Sequence, residues 1–167
     1  LLDVGIYPVY LSYLLFGIPE KLSITAIKSV TEVDESCFMT LEFSNKQVAF
    51  LHSSFSYNSN VEAFIYGTKG TIHIRPRFHG ISSGISIRLD SGNQIDYPFS
   101  WDCLGYKYEA AHVMDCLDKG LIESDLHSLS ASIELCSVLD NIRKEGNIVF
   151  LNQDKLESFE KVDIENE

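Results

Sequence analysis

The sequence is short of several things, and each shortage excludes something. Basic residues are scarce: 13 Lys and Arg stand against 24 Asp and Glu, a formal net charge of −11. Phosphate backbones and anionic lipid surfaces are both held by clustered cations, so neither nucleic acid nor a membrane surface is expected as a partner. The acidity itself reads as solubility. Four cysteines are present, Cys37, Cys103, Cys116 and Cys136, and none forms a C-x-x-C pair. A chain of 167 residues needs no disulfide framework, so reduced, buried thiols in a cytoplasmic protein are expected. No run has the length and uniform apolarity of a membrane span. The apolar opening, LLDVGIYPVYLSYLLFG, has no basic flank and carries Asp3 and Pro8, which argues against a signal peptide.

Motifs are missing too. There is no G-x-G-x-x-G for a dinucleotide and no G-x-x-x-x-G-K-S/T for a nucleoside triphosphate. GTKG at 67–70 lies between strand-like runs and reads as a hairpin connection. There is no G-x-S-x-G elbow. The histidines (His52, His73, His79, His112 and His127) show no H-E-x-x-H pattern, so no metal ligands are assigned. Glu109 and His112, three apart, read as an exposed polar pair on a helix. Trp101, in PFSWDCLG, either lines a cleft or plugs a core edge.

What is present is an ordinary globular composition, 45% hydrophobic and 22% charged, enough for one domain over 1–150. The acidic tail 151–167 lacks a clear stripe and is expected to fray. Residues 4–16 are apolar almost all round, as in a buried helix, with Asp3 as N-cap and Gly17 as stop. Pro8 favours a helix beginning at about that residue. KLSITAIKSVTEV follows as a β-rich run, and Cys37, Met39, Leu41 and Phe43 alternate onto one strand face. Val61, Ala63 and Ile65 share a face, as do Ile85, Ile87 and Leu89. SNKQ, GTKG and DSGN mark turns. Two amphipathic helices close the domain, one with a stripe of Tyr106, Ala110, Val113, Met114 and Leu117. The other carries Leu135, Val138, Leu139 and Ile142. NIVFL is expected as a last short strand.

The pattern predicts an α+β fold: one open, mostly antiparallel sheet with helices packed on one face. Phe38, Ala49, Leu51, Phe64 and Tyr66 fall on the alternate positions. A half-apolar open face of that kind predicts an oligomer interface, the alternative being cover by loops or the acidic tail.

Asp3 and Tyr7 are spaced to share one face of a helical turn. An acid beside a phenol can orient it for proton transfer. A capping Asp and an amphipathic Tyr explain the pair equally well.

The order of the pieces resembles a known family. LLDVGIYPVYLSYLLFG is similar to the segment L-x-D-x-G-x-H/Y followed by an apolar helix that opens the C-terminal domain of Gfo/Idh/MocA oxidoreductases. EAFIYGTKGTIHI resembles that family's strand–G-T-x-G–strand hairpin, and GYKYEAAHVMDCLDKGLIESDLHSLSASIELCSVLDNIR its closing segment. The resemblance covers about residues 1–150. It implies a substrate-binding and oligomerisation domain of an NAD- or NADP-dependent oxidoreductase acting on CH–OH groups of a sugar, polyol or diol. The cofactor would sit on an N-terminal Rossmann domain outside this chain, so no cofactor-binding residue is assigned here and the fragment alone is expected to be inactive. Tyr7 matches the position held by His or Tyr in the family, the proposed general acid/base. Asp3 matches the motif aspartate. The lysine that would tune Tyr7 belongs to an E-K-P motif of the Rossmann domain. Implied partners are the small-molecule substrate, the chain's own Rossmann domain and a second copy. A non-catalytic regulatory or scaffold protein built on the same domain is the alternative.

Overall fold

The computed structural model describes residues 1–149. The expected acidic tail, and the end of the expected NIVFL strand, lie outside them. The chain forms two compact units, Leu1–Asn58 together with the chain from Ser130 onward, and Ser59–Leu129.

The first unit opens with helix α1, Ile6–Phe16. Its N-cap is Gly5, in right-handed helical backbone and without a side-chain cap, so Asp3 is not the cap expected from sequence. Pro8 falls in the first turn, where a missing N–H costs nothing, so the helix starts two residues earlier than Pro8 suggested. Gly17, at φ 81°, ends it, its N–H donating to the Tyr13 carbonyl at 2.8 Å. Three strands follow: β1 (Lys21–Lys28), β2 (Asp34–Glu42) and β3 (Val48–Ser54), all antiparallel in that order. Helix α3, Leu129–Glu145, returns to this sheet after the second unit.

The core lies between one sheet face and the two helices. Cys37, Met39, Leu41 and Phe43 meet Val9 of α1 and Leu135, Val138, Leu139 and Ile142 of α3. Each such fully buried aliphatic contributes roughly 1.5–3 kcal/mol by leaving water. Phe16 and Phe43 pack with ring centroids 5.2 Å apart. The Tyr13 hydroxyl donates to Glu134 at 2.7 Å, tying α1 to α3. The helices therefore share one sheet face, as the alternation predicted.

Alternation puts Ala49 and Leu51 on the open face, and the structure turns them to the core. Leu41 pairs with Ala49 and Met39 with Leu51, which places Ala49 and Leu51 against the core. The open face instead carries Phe38, Val48, Phe50 and His52, with Phe38 and His52 stacked at 6.3 Å. A strand with apolar residues on both faces (VAFLHSS) has no alternation to fix its register.

The second unit is a four-stranded antiparallel meander: β4 (Ala63–Gly67), β5 (Gly70–Ile74), β6 (Gly84–Leu89) and β7 (Gln94–Pro98). The α+β class and antiparallel pairing hold, but the strands form two sheets where sequence suggested one. GTKG is the β4–β5 hairpin, with Gly67 opposite Gly70. Ile65, Ile72 and Ile87 run across one face. The other face carries Arg75, Ser86, Gln94 and Asp96 in one hydrogen-bonded group. The Ser86 hydroxyl and Gln94 amide, with Arg75 beside them, hold Asp96 below the ordinary carboxylate range.

Helix α2, Tyr106–Asp118, completes this unit. Its expected apolar stripe is not buried: Tyr106, Val113, Met114 and Leu117 are exposed, and Cys116 is the buried residue. No described helix is long and apolar enough to cross a membrane.

Candidate functional site

The paired residues singled out from sequence lie at the head of α1. Asp3 stands in the turn over Leu2–Gly5, and Tyr7 is the second helical residue. Both are exposed, Tyr7 to 40%. The helix explains why. Val9, Ser12 and Phe16 point inward, while Tyr7, Leu11, Leu14 and Leu15 recur at helical spacing on the opposite side. Three of these four are exposed. The all-apolar segment is thus not buried all round: one stripe is core and the other, led by the Tyr7 phenol, is open. Beside Asp3 is a shallow cleft of about 360 Å³ lined by Leu1, Leu2, Val33, Asp34 and Phe55.

Other polar groupings belong to the second unit. Trp101 donates its indole N–H to the Ser82 carbonyl at 2.6 Å and meets Phe99 and Tyr108 edge-on. That settles its role locally as an anchored, partly exposed ring. Asp102 takes hydrogen bonds from Lys107 and Tyr108, which hold its carboxyl below the ordinary range. His73 bonds to Glu62 at 2.7 Å and stacks on Phe64 at 4.3 Å.

His112 departs from its sequence reading. Its recorded partners are Ser124 (2.8 Å), Cys116 (3.5 Å) and Asp125 (3.6 Å), not Glu109. The signal available in the sequence was the spacing H-x-x-x-C on one helix face. It passes unnoticed because it matches no two-histidine metal pattern and because Asp125 comes from the loop beyond the helix.

Every strand pairing among the described residues is antiparallel, so they contain no parallel β–α–β unit.

Residues 1–73, which include both Asp3 and Tyr7, match the model of the GFO/IDH/MocA C-terminal domain. Trans-1,2-dihydrobenzene-1,2-diol dehydrogenase of Homo sapiens is 32% identical over 167 residues, covering 93% of this chain. Through that stretch and this relative the chain is similar to the Gfo/Idh/MocA oxidoreductases. The Mus musculus dihydrodiol dehydrogenase is 33% identical over 162 residues, again covering 93% of the chain. This chain spans about half the length of those curated relatives, 48% in each case. Its fold is shared with aldose-aldose oxidoreductase from Caulobacter crescentus complexed with glycerol. That likeness has a TM-score of 0.73 at 19% identity, over 87% of this chain and 44% of the other. An oxidoreductase from Agrobacterium radiobacter in complex with NAD+, L-tartaric acid and magnesium has TM-score 0.65 at 13% identity. It covers 87% of this chain and 46% of that one.

Proposed function

We propose that this chain is the substrate-binding domain of an NAD- or NADP-dependent oxidoreductase, with Tyr7 as its proton-transfer residue and Asp3 as the group that orients it. The observation that carries the reading is the exposed Tyr7 phenol, in the first turn of α1 and four residues after the exposed Asp3, inside the stretch that matches the family. The substrate class is a CH–OH compound, a diol, polyol or sugar. The relatives named as dihydrodiol dehydrogenases support the diol end of that range. The nicotinamide, held by a Rossmann domain outside this chain, supplies the hydride chemistry.

The contribution of this chain is to the proton. Tyr7 takes the proton of the substrate hydroxyl, or returns it in the opposite direction. A phenol titrates near 10, so it needs a cation beside it to act as a base at neutral pH. The family resemblance assigns that cation to a lysine of the Rossmann domain. Asp3, four residues before Tyr7 and exposed beside the same helix start, is the group assigned to orient the phenol.

The open face of the first sheet, with Phe38, Val48 and Phe50 exposed, supports self-association of the protein. The four free cysteines fit a reducing, cytoplasmic setting.

The test is Tyr7→Phe in the intact protein that carries this chain. Loss of the proton-transfer group is expected to lower kcat by about 10²–10⁴-fold while substrate binding changes little. Full turnover in that variant sinks the assignment. An intact wild-type protein that binds no nicotinamide nucleotide and turns over no diol, polyol or sugar favours the non-catalytic alternative.

A further inference from the structure

We propose that His112, Cys116 and Asp125 form a binding site for a zinc-class divalent cation. His112 and Cys116 are four residues apart on α2, so helical geometry alone brings the imidazole and thiol to one face. Cys116 Sγ lies 3.5 Å from His112 Nε2, and Asp125 Oδ1 lies 3.6 Å from the same nitrogen. All three donor atoms are within 4.8 Å of one another. A tetrahedral zinc with ordinary Zn–S and Zn–N bonds places S and N about 3.5 Å apart, and N and O about 3.4 Å apart. Two of the three donor pairs already stand near that spacing. Closing the sulfur–oxygen pair requires only that the Asp125 side chain, which is 67% exposed, swing inward.

The surroundings favour the same occupant. Ser124 Oγ accepts the backbone N–H groups of Leu126 (3.1 Å) and His127 (3.2 Å). With both lone pairs engaged, its own proton is left to donate to His112 Nε2, 2.8 Å away. The tautomer that accepts this bond, with its proton on Nδ1, is also the one whose Nε2 ligates a metal. The loop bearing Asp125 is braced at both ends: Leu121 N–H bonds to the Cys116 carbonyl at 2.9 Å, and Glu123 accepts the Leu129 N–H at 2.8 Å. Cation binding exchanges the Ser124–Nε2 hydrogen bond for a metal–nitrogen bond and leaves the loop's backbone bonds in place.

The donor set selects the metal. One imidazole, one thiolate and one carboxylate suit zinc and its neighbours, whereas calcium and magnesium take oxygen ligands. Three protein ligands leave a fourth position for water or a small ligand.

Cobalt(II) is the probe, titrated into the purified chain and then displaced with zinc. The expected result is one equivalent bound, with tetrahedral d–d bands and a thiolate-to-cobalt charge-transfer band, both lost on adding zinc. Cys116→Ser should remove the charge-transfer band. Asp125→Asn, at an exposed position that leaves the fold intact, should weaken cobalt binding by at least about tenfold, with unchanged circular dichroism. Absence of tight binding overturns the proposal. So does a cobalt spectrum without the thiolate band, or affinity unchanged in Asp125→Asn.

Discussion

Cys37 lies fully buried on β2, and burial pushes its thiol up to about 11 from an ordinary value of 9.0. Below about pH 9 the folded and unfolded chains both keep this proton, and the stability it confers is whole. Between about pH 9 and about 11 the unfolded chain sheds the proton and the folded one retains it. Stability therefore falls as pH rises, by about 1.4 kcal/mol per pH unit for this group, or on the order of 2–3 kcal/mol in all. Tyr13, raised by its hydrogen bond to Glu134, acts in the same direction at still higher pH. Urea unfolding at about pH 8 and about pH 10.5 checks this. Cys37→Ala should be less stable at the lower pH but lose less on going to the higher one; parallel losses in the two proteins would refute the Cys37 assignment. The same burial predicts selective chemistry: at neutral pH an aromatic disulfide reagent should modify exposed Cys136 well before Cys37.

Elements differ in how far the sequence announced them. Helix α3 was legible because four apolar residues repeat at helical spacing against polar neighbours, and all four are core. Ile142→Ala should accordingly cost about 2–5 kcal/mol in unfolding free energy by denaturant titration. The hairpin at Gly67–Gly70 was legible from its glycines, and the geometry explains one of them. Gly70 has φ 151°, and a Cβ there would stand 2.2 Å from the Arg88 carbonyl oxygen. Gly70→Ala combines that clash with backbone strain and should lower stability by at least about 2 kcal/mol, readable as a fall in Tm. Where both faces of an element are apolar, periodicity has nothing to report. Neither the face that β3 turns to the core nor the open side of α1 is therefore legible from pattern. Helix α2 misled for the opposite reason: it has a clear stripe, yet the stripe is exposed and the small residue behind it, Cys116, is the one buried. Spacing alone leaves Asp3 and Tyr7 open between a cap with an amphipathic ring and a proton-transfer pair, and the resemblance is what gives them a role. The His112 cluster needed the loop to close before Asp125 joined it.

For the whole molecule, the exposed apolar face of the first sheet makes an experimental demand. Phe50 is 81% exposed and stands among Phe38, Val48 and His52. If this face joins two copies, Phe50→Glu should convert a dimer seen by light scattering to monomer without loss of secondary structure; a wild-type protein that is already monomeric at high concentration would dismiss the interface. The order of the chain carries a different consequence. The core of the first unit draws on residues before Asn58 and on α3, while the second unit is continuous between them. During synthesis the meander of β4–β7 leaves the ribosome complete, whereas β2 waits, with Met39 and Leu41 bare, until Leu135–Ile142 have been made. Its long sequence separation makes that core the slower to form. Pulse-labelled hydrogen exchange during refolding should find the amides of β5 and β6 protected before those of β2. A nascent chain stalled short of α3 should be a chaperone client, and the finished chain should not.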